Sequence, residues 1–512
     1  MGDTRTHNSM RNIVFGLLNR MVSIFFPFIV RTIFIKFLGE SYLGLSSLFS
    51  SILQVLNLAD LGFASAIVAS MYKPISDGNV SKVSALLNLY RRIYRIIGVA
   101  ILLLGCLLTP FVGKLINGEP PEDINIYIIW ILYLSNTVVS YLFFAYKVSL
   151  INAHQRSDIS EKIGTLCRIF ISILQIVTII IFKNIYLYVF LMILNSVIYN
   201  LWCSRECDKR FPQYRCYGKL DIENKRKITK NVSALALQKI GNTVSTSLDS
   251  IVISAFLGLT AVAIYGNYYY IVTSIAIFIG LIYSSITASI GNSIAIETSD
   301  KNYADFKKIF FLTIWITGWC CVCLACLFQD FMIVWMGENL MFGMGTVLGL
   351  IIRFYFEQIR KAVLTYKDAA GIWWADKWRP LIGCLLNLTL NILLVKTIGV
   401  TGVMLSTIIS YIFVEIPWET HVLFRLYFKK GVQEYYIELI RATATMVVAG
   451  ILTYYICTFS CLSHIASIAV KFLICIVVPN GFFAFLNWNN NDFKDSIQFI
   501  KEIFIRVSQD KH

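Results

Sequence analysis

The sequence predicts an all-α, polytopic membrane protein. Of its 512 residues, 57% are hydrophobic and only 15% are charged, and the mean hydropathy is +0.68. A soluble protein would carry about 25% charged residues. The apolar residues form unbroken runs, such as ILLLGCLLTPFVG at 101–113, without the alternation of barrel strands. Runs of about 20 apolar residues are long enough to cross a bilayer as helices, in which the backbone polar groups bond to one another.

About fourteen such segments can be placed along the chain. Turn signals separate them, with Gly39, Gly118, Gly258 and Gly399 at four of the boundaries. The expected segments cover 12–37, 43–71, 93–116, 125–147, 162–182, 186–203, 231–256, 262–290, 309–335, 341–366, 380–397, 401–424, 436–457 and 464–487.

Basic residues predict the orientation. With the amino terminus inside, the expected outer loops hold only Lys114, Lys183 and Lys396, whereas the inner loops hold several times as many Lys and Arg residues. Positive charge marks cytoplasmic loops, so both termini are expected in the cytoplasm. The basic residues of these cytoplasmic loops explain the net charge of +15, so no nucleic-acid partner is expected.

A faint internal repeat predicts the domain organisation. Phe37-Leu38-Gly39 recurs as Phe256-Leu257-Gly258, each at the end of an expected helix. This pattern suggests two parallel lobes of six helices. The expected parts are an N-lobe at 1–203, a basic cytoplasmic linker at 204–230, a C-lobe at 231–424, two further helices at 425–488 and an amphipathic cytoplasmic tail at 489–512.

Polar residues recur at helical spacing inside the apolar segments. Arg20 and Arg31 are eleven residues apart, about 16 Å along one side of a helix. A charge facing lipid costs at least about 2.5 kcal/mol, so such residues should face a wet interior. We expect a central cavity lined by both lobes. Its predicted substrate-binding cations are Arg20, Arg31, Lys239 and Arg353, and its predicted polar residues are Asn19, Asn57, Gln238 and Asn242.

Three carboxylates are candidates for ion coupling, namely Asp60, Asp249 and Glu357. Each has a structural alternative. Glu357 and Arg353 are four residues apart and could neutralise each other. Asp60 could bond a loop amide, and Asp249 could pair with a nearby cation. More cations than carboxylates in the cavity favour an anionic substrate, because arginine holds phosphate oxygens with two donors.

The remaining motifs indicate neither an enzyme nor a cofactor. No Walker phosphate loop is present in the sequence, and the expected outer loops are too short for a catalytic domain. Of the thirteen cysteines, Cys323 and Cys326 have the spacing of metal ligands. Their segment contains no second pair of ligands, so we expect them to pack as small residues rather than to bind a metal.

Several short patterns resemble a known family. They are Leu58-x-Asp60-Leu61-Gly62-Phe63, the run from Asp249 to Gly258, and Gly399-x-x-Gly402. Together with the helix number, they resemble the bacterial polysaccharide transporters of the Wzx type. That polysaccharide transporter family belongs to the multidrug/oligosaccharidyl-lipid/polysaccharide (MOP) exporter superfamily, which also contains lipid II flippases and MATE multidrug exporters.

The resemblance implies a flippase in the bacterial cytoplasmic membrane. Its substrate would be an oligosaccharide repeat unit on undecaprenyl pyrophosphate, an O-antigen or capsule precursor, moved by alternating access and driven by an ion or the membrane potential. The chain would act as a monomer, with a polysaccharide polymerase and a chain-length regulator as possible partners. A lipid II flippase, a MATE-type antiporter and, less favoured, a membrane-embedded polymerase stay as alternatives.

Overall fold

A computed structural model describes residues 5–57, 63–220, 243–372, 374–459, 464–490, 493–496 and 498. Across these residues the secondary structure is helical and contains no strand, which confirms the predicted fold class. The chain divides into two compact units, Met1–Gly266 and Asn267–His512. The predicted lobe boundaries at 203 and 231 stay predictions.

The first unit contains helices α1 to α9 and the start of α10. Their bounds are α1 Arg5–Leu38, α2 Glu40–Leu56, α3 Phe63–Ser76, α4 Val80–Leu108, α5 Ile126–Leu142, α6 Tyr146–Ala153, α7 Ser157–Phe182, α8 Ile185–Arg210, α9 Thr243–Leu257 and α10 Leu259–Ile296. A 3₁₀ turn at Thr109–Leu115 follows α4. Rings of Phe49 and Trp130 meet edge to face with centroids 5.4 Å apart in the core, and the Trp130 indole N–H donates to the Gly105 carbonyl.

The second unit contains the rest of α10 and six further helices. They are α11 Ser299–Met336, α12 Met344–Ala369, α13 Arg379–Ser410, α14 Ile416–Leu423, α15 Gln433–Thr458 and α16 His464–Asn487. Helix α11 packs against α12, α15 and α16. Stacked and edge-to-face rings fill the space near its start, with Phe306, Phe424 and Tyr435 among them.

Nine helices of the described part are long and apolar enough to cross a membrane, or ten if the bent pair α5 and α6 is one span. The multi-pass architecture is therefore confirmed, and the number fourteen stays a prediction. One of the nine is a 50-residue run, Arg379–Phe428, about 75 Å at helical rise and much longer than a bilayer is thick. Non-helical backbone at Ile398 and Gly399 interrupts it, where the sequence predicts the boundary between two segments.

The glycines expected at turns adopt the backbone that only glycine accepts easily. The φ angles are +103° at Gly39, +84° at Gly118, +87° at Gly258 and +59° at Gly399. A side chain at positive φ would be strained. These residues therefore allow the backbone to turn between helical segments, as the sequence predicts.

A glycine also lets α2 approach the start of α10 closely. A Cβ added at Gly44 would lie 2.0 Å from the Leu259 carbonyl oxygen, whereas one added at Gly16 of α1 would have no atom within 4 Å. The obstructing atom belongs to backbone, so the contact cannot be relieved by rotating a side chain.

We predict that Gly44→Ala destabilises the protein by about 1–3 kcal/mol, the usual cost of overpacking. Gly16→Ala, its matched control, should be neutral or slightly stabilising because alanine is a better helix former. The measurement is the thermal unfolding midpoint in detergent together with the amount of monodisperse protein per cell. Equal midpoints for the two variants would contradict the close approach of α2 and α10.

Candidate functional site

Polar residues on α1 contact α7 and the turn before it. The Asn12 amide donates to the Gln155 carbonyl at 2.9 Å and accepts from the Asp158 backbone N–H at 2.8 Å. Further along α1, the Asn19 amide donates to the Glu161 carboxylate. Part of the polar face of α1 is therefore used to hold α7.

The two predicted α1 cations differ in their surroundings. The Arg20 side chain is exposed, whereas Arg31 is half-buried. A Cβ added at Gly266 would lie 2.6 Å from Arg31 Nη2 and 3.5 Å from the Ser47 hydroxyl. The Arg31 guanidinium therefore packs against the backbone of α10 beside the Ser47 hydroxyl. A side chain at 266 would force the end of the Arg31 side chain to move.

A second polar face runs along α12, where Arg353, Glu357 and Lys361 follow one another at four-residue spacing. Arg353 is 3% exposed, and its guanidinium lies 5.2 Å from the centre of the Tyr269 ring. The Lys361 ammonium donates to the Ala276 carbonyl at 3.3 Å. These contacts direct the cations of α12 towards α10.

The remaining predicted site residues are only partly placed. Asp249 is fully buried on α9, and Asn57 is half-buried at the end of α2. Gln238, Lys239, Asn242 and Asp60 lie outside the described residues. The structure thus brings Arg353, Glu357 and Lys361 onto one face. The substrate-binding role of Arg353 and the ion-coupling role of Glu357 stay predictions.

Sequence reasoning missed a group of six buried charged residues in the second unit, which we call the buried charge network. It joins the end of α12, the start of α13 and the segment around α14. Its members are Arg360, Lys367, Asp376, Arg379, Glu415 and Glu419, each at most 5% exposed. Three cations face three carboxylates, so the network is electrically neutral.

The arginines of the network each contact more than one carboxylate. Arg360 reaches Glu415 at 2.7 Å and Glu419 at 2.6 Å through Nη2, with a third contact of 3.0 Å from Nε to Glu419. Arg379 Nη1 contacts the carboxylates of Glu415 and Glu419. Arg379 Nε also donates to Asp376 at 3.0 Å, and Lys367 pairs with that same carboxylate.

Backbone features position this network. Glu415 ends a π-helical turn, Tyr411–Glu415, directly before α14. A π turn rotates the residues after it relative to an α-helix, and such turns are common at functional positions. A Cβ added at Gly383 of α13 would lie 2.2 Å from Glu415 Oε1, so the absence of a side chain there makes room for the carboxylate.

A signal for the network was present in the sequence. Glu415 and Glu419 are two carboxylates one turn apart inside a segment expected to cross the membrane, and intramembrane charges are expected to have partners. Arg360 could be interpreted from the sequence as snorkelling to the membrane surface. The structure instead directs Arg360 inwards, because two carboxylates from another helix are within reach.

We predict that Arg360→Met destabilises the protein by about 3–5 kcal/mol, since it leaves buried carboxylates without their partner. The exposed pair of Arg441 and Glu438 is the control, and Arg441→Met should cost at most about 1 kcal/mol. Thermal unfolding in detergent measures both. If Arg360→Met unfolds at the wild-type temperature, the ion pairs of Arg360 do not stabilise the fold.

Comparisons with known proteins place the chain in a family. A family model described as "Polysaccharide biosynthesis protein" matches residues 9–290, which is more than half of the chain. No curated protein sequence matches it significantly.

Solved structures with the same fold are membrane transporters. The lipid II flippase MurJ, in an inward closed conformation, has a TM-score of 0.70 and 15% identity, covering 93% of this chain and 99% of MurJ. An inward-facing MATE multidrug resistance transporter has a TM-score of 0.60 and 14% identity, covering 81% and 98%. A MOP superfamily transporter from Pyrococcus furiosus has a TM-score of 0.58 and 13% identity, covering 83% and 97%. At these identities the likeness establishes the fold.

Proposed function

The chain belongs to the polysaccharide biosynthesis protein family, and we propose that it is a flippase for lipid-linked oligosaccharides. In this proposal it moves an oligosaccharide repeat unit on undecaprenyl pyrophosphate from the inner to the outer leaflet of a bacterial cytoplasmic membrane. The substrate site opens to one side of the membrane at a time. The family match over residues 9–290 carries the proposal, and the likeness of 93% of the chain to a lipid II flippase supports it.

The substrate headgroup carries the negative charge of a pyrophosphate, and we propose that cations inside the helical spans bind it. Arg31 and Arg353 support this role because both guanidinium groups lie inside the helical units, Arg31 beside Gly266 and Arg353 over the Tyr269 ring. A guanidinium can hold two phosphate oxygens at once. Arg20 and Lys239 complete the proposed set of cations, with Asn19, Asn57, Gln238 and Asn242 binding sugar hydroxyls.

An energy source is needed for net transport. We propose coupling to an ion or to the membrane potential, since moving a negative charge outward across an inside-negative membrane gains about 2.3 kcal/mol per 100 mV. Asp249, which is fully buried in α9, and the half-buried Glu357 are the proposed ion carriers, with Asp60 as a third. Both termini face the cytoplasm in this proposal.

A second candidate is a lipid II flippase, favoured by the extent of the fold match to MurJ. Depletion of the protein in its native host separates the two. Loss of surface polysaccharide with intact cell wall synthesis supports the oligosaccharide flippase. Loss of peptidoglycan synthesis with accumulation of lipid II would overturn it in favour of the second candidate.

We predict that removing the proposed cations blocks export. Arg31→Ala and Arg353→Ala should each lower polysaccharide export at least about tenfold, because losing one partner of a desolvated charge pair costs about 2–5 kcal/mol. Arg353→Lys should retain part of the activity, because it keeps the charge and loses the planar fork. Export is measured per amount of membrane-inserted protein, alongside lipid-linked repeat units accumulating inside the cell.

The matched control is Arg441→Ala, which removes an exposed cation from α15 and should export normally. The double variant Arg20→Ala with Lys239→Ala tests the other two proposed cations and should also lose export. Wild-type export by both Arg31→Ala and Arg353→Ala would refute the cationic site, and the flippase proposal would then rest on the family alone.

We predict that neutralising the proposed carriers uncouples transport. Asp249→Asn and Glu357→Gln should lower export driven by an imposed ion gradient in proteoliposomes, because an amide cannot take up and release a proton or bind sodium as a carboxylate does. Asp77→Asn, in an exposed loop, should respond to the gradient like wild type. An unchanged gradient response in both variants and in their double variant would remove these carboxylates as carriers.

A further inference from the structure

Three cysteine side chains from three helices meet inside the second unit. Cys326 of α11, Cys457 of α15 and Cys475 of α16 have Sγ atoms that all lie within 4.8 Å of one another. Their exposed fractions are 7%, 2% and 0%. We call these residues the thiol cluster. They are 131 and 18 residues apart along the chain, so only the tertiary fold brings them together.

A fourth cysteine lies beside the cluster. Cys323 is three residues before Cys326 on α11 and packs against the same group of side chains. Residues three apart on a helix share a face. Helix α11 therefore contributes a Cys-x-x-Cys pair, and the fold brings Cys457 and Cys475 from two other helices to it.

Polar contacts border the cluster. Lys471 Nζ pairs with Asp330 Oδ2 at 2.6 Å, and each of these residues is four positions from a cluster cysteine on its own helix. Along each helix, the charged residue is therefore about one turn from the cysteine. In addition, the Trp319 indole N–H donates to the Cys475 carbonyl at 2.8 Å, which fixes the backbone that carries this cysteine.

The spacing of the sulfur atoms suits a tetrahedral metal ion. A Zn–S bond of about 2.3 Å places ligand sulfurs about 3.8 Å apart. Sulfur atoms within 4.8 Å reach that geometry by side-chain movements of less than about 1 Å. A disulfide would join only two of the three sulfurs and leave the third beside it, so the convergence of all three favours a metal.

We propose that Cys326, Cys457 and Cys475 bind one Zn²⁺ ion through their three thiolates, next to Cys323 on α11. Thiolates prefer soft and borderline ions such as Zn²⁺ and Cu⁺. Three thiolates leave a net charge of −1 with Zn²⁺ and −2 with Cu⁺, and the smaller charge costs less in a low-dielectric interior. Each thiol that becomes a ligand loses its proton, so binding three thiolates releases three protons and weakens as the pH falls.

The proposed ion would join α11, α15 and α16. Helices α15 and α16 lie beyond the twelve helices predicted for the two lobes, and both pack against α11. A metal bound to all three would stabilise that attachment in the folded state. This proposal is independent of the transported substrate.

The test uses the full-length protein, purified in detergent with a non-thiol reductant, stripped with a chelator and then loaded with Zn²⁺. After desalting, mass spectrometry of the metal should find about one Zn²⁺ per chain. Co²⁺ in place of Zn²⁺ should give sulfur-to-cobalt charge-transfer absorption, which reports thiolate ligands directly. Neither measurement on the wild-type protein depends on a variant being folded.

Cys326→Ser, Cys457→Ser and Cys475→Ser should each lower the bound metal at least about tenfold and abolish the charge-transfer band. Cys321→Ser is the control on the same helix, because its thiol faces the Ile351 carbonyl and should not affect binding. Zn²⁺ should raise the unfolding temperature of the wild type and not of the triple variant.

Three results would overturn the proposal. They are less than about one-tenth of a zinc ion per wild-type chain, zinc retained by the triple variant, and a disulfide between two cluster cysteines in protein isolated without reductant.

Discussion

The lack of water in the hydrocarbon core of a bilayer is the constraint on which this structure depends. A backbone amide or a charged side chain that faces lipid finds no hydrogen-bonding partner there. Helices therefore pair the backbone N–H and C=O groups with one another, and each charged side chain needs a partner within the protein or contact with water. The chain meets this demand with few charged residues, 15% of the total, and it buries several of them. Some of them belong to networks of ion pairs, and others pack against an aromatic ring.

The buried charge network and the face of α12 illustrate the two cases on one helix. Arg360 has two carboxylate partners, Glu415 and Glu419, and belongs to a neutral group. Arg353, two turns earlier, lies over the Tyr269 ring, whose face attracts a cation. The first arrangement is suited to holding helices together. The second packs an arginine against an aromatic ring inside the protein, and its role in binding an anionic headgroup stays a proposal.

Helix α11 organises much of the second unit. It contacts α12, α15 and α16, carries an aromatic cluster near its start, and contributes Cys326 to the thiol cluster further along. The ion pair of Asp330 with Lys471 and the indole contact of Trp319 both link α11 to α16. Polar links of this kind specify which helix is the neighbour, because lipid and apolar side chains attract each other almost equally well.

The sequence by itself determined the class of fold, the turns at Gly39, Gly118, Gly258 and Gly399, and the presence of charges on α1 and α12. These features are local. The length of an apolar segment, the position of a glycine and the spacing of polar residues along a helix all depend on residues close together in the sequence. Polar patterning also identified Arg353 and Glu357 as sharing a helical face.

Only the tertiary structure decided which of these polar groups have protein partners. Asn19 contacts Glu161 across 142 residues of sequence, and Arg360 contacts Glu419 across 59. The thiol cluster joins three helices in the same way. Such contacts depend on how helices pack and rotate against one another, and no short stretch of sequence contains both partners.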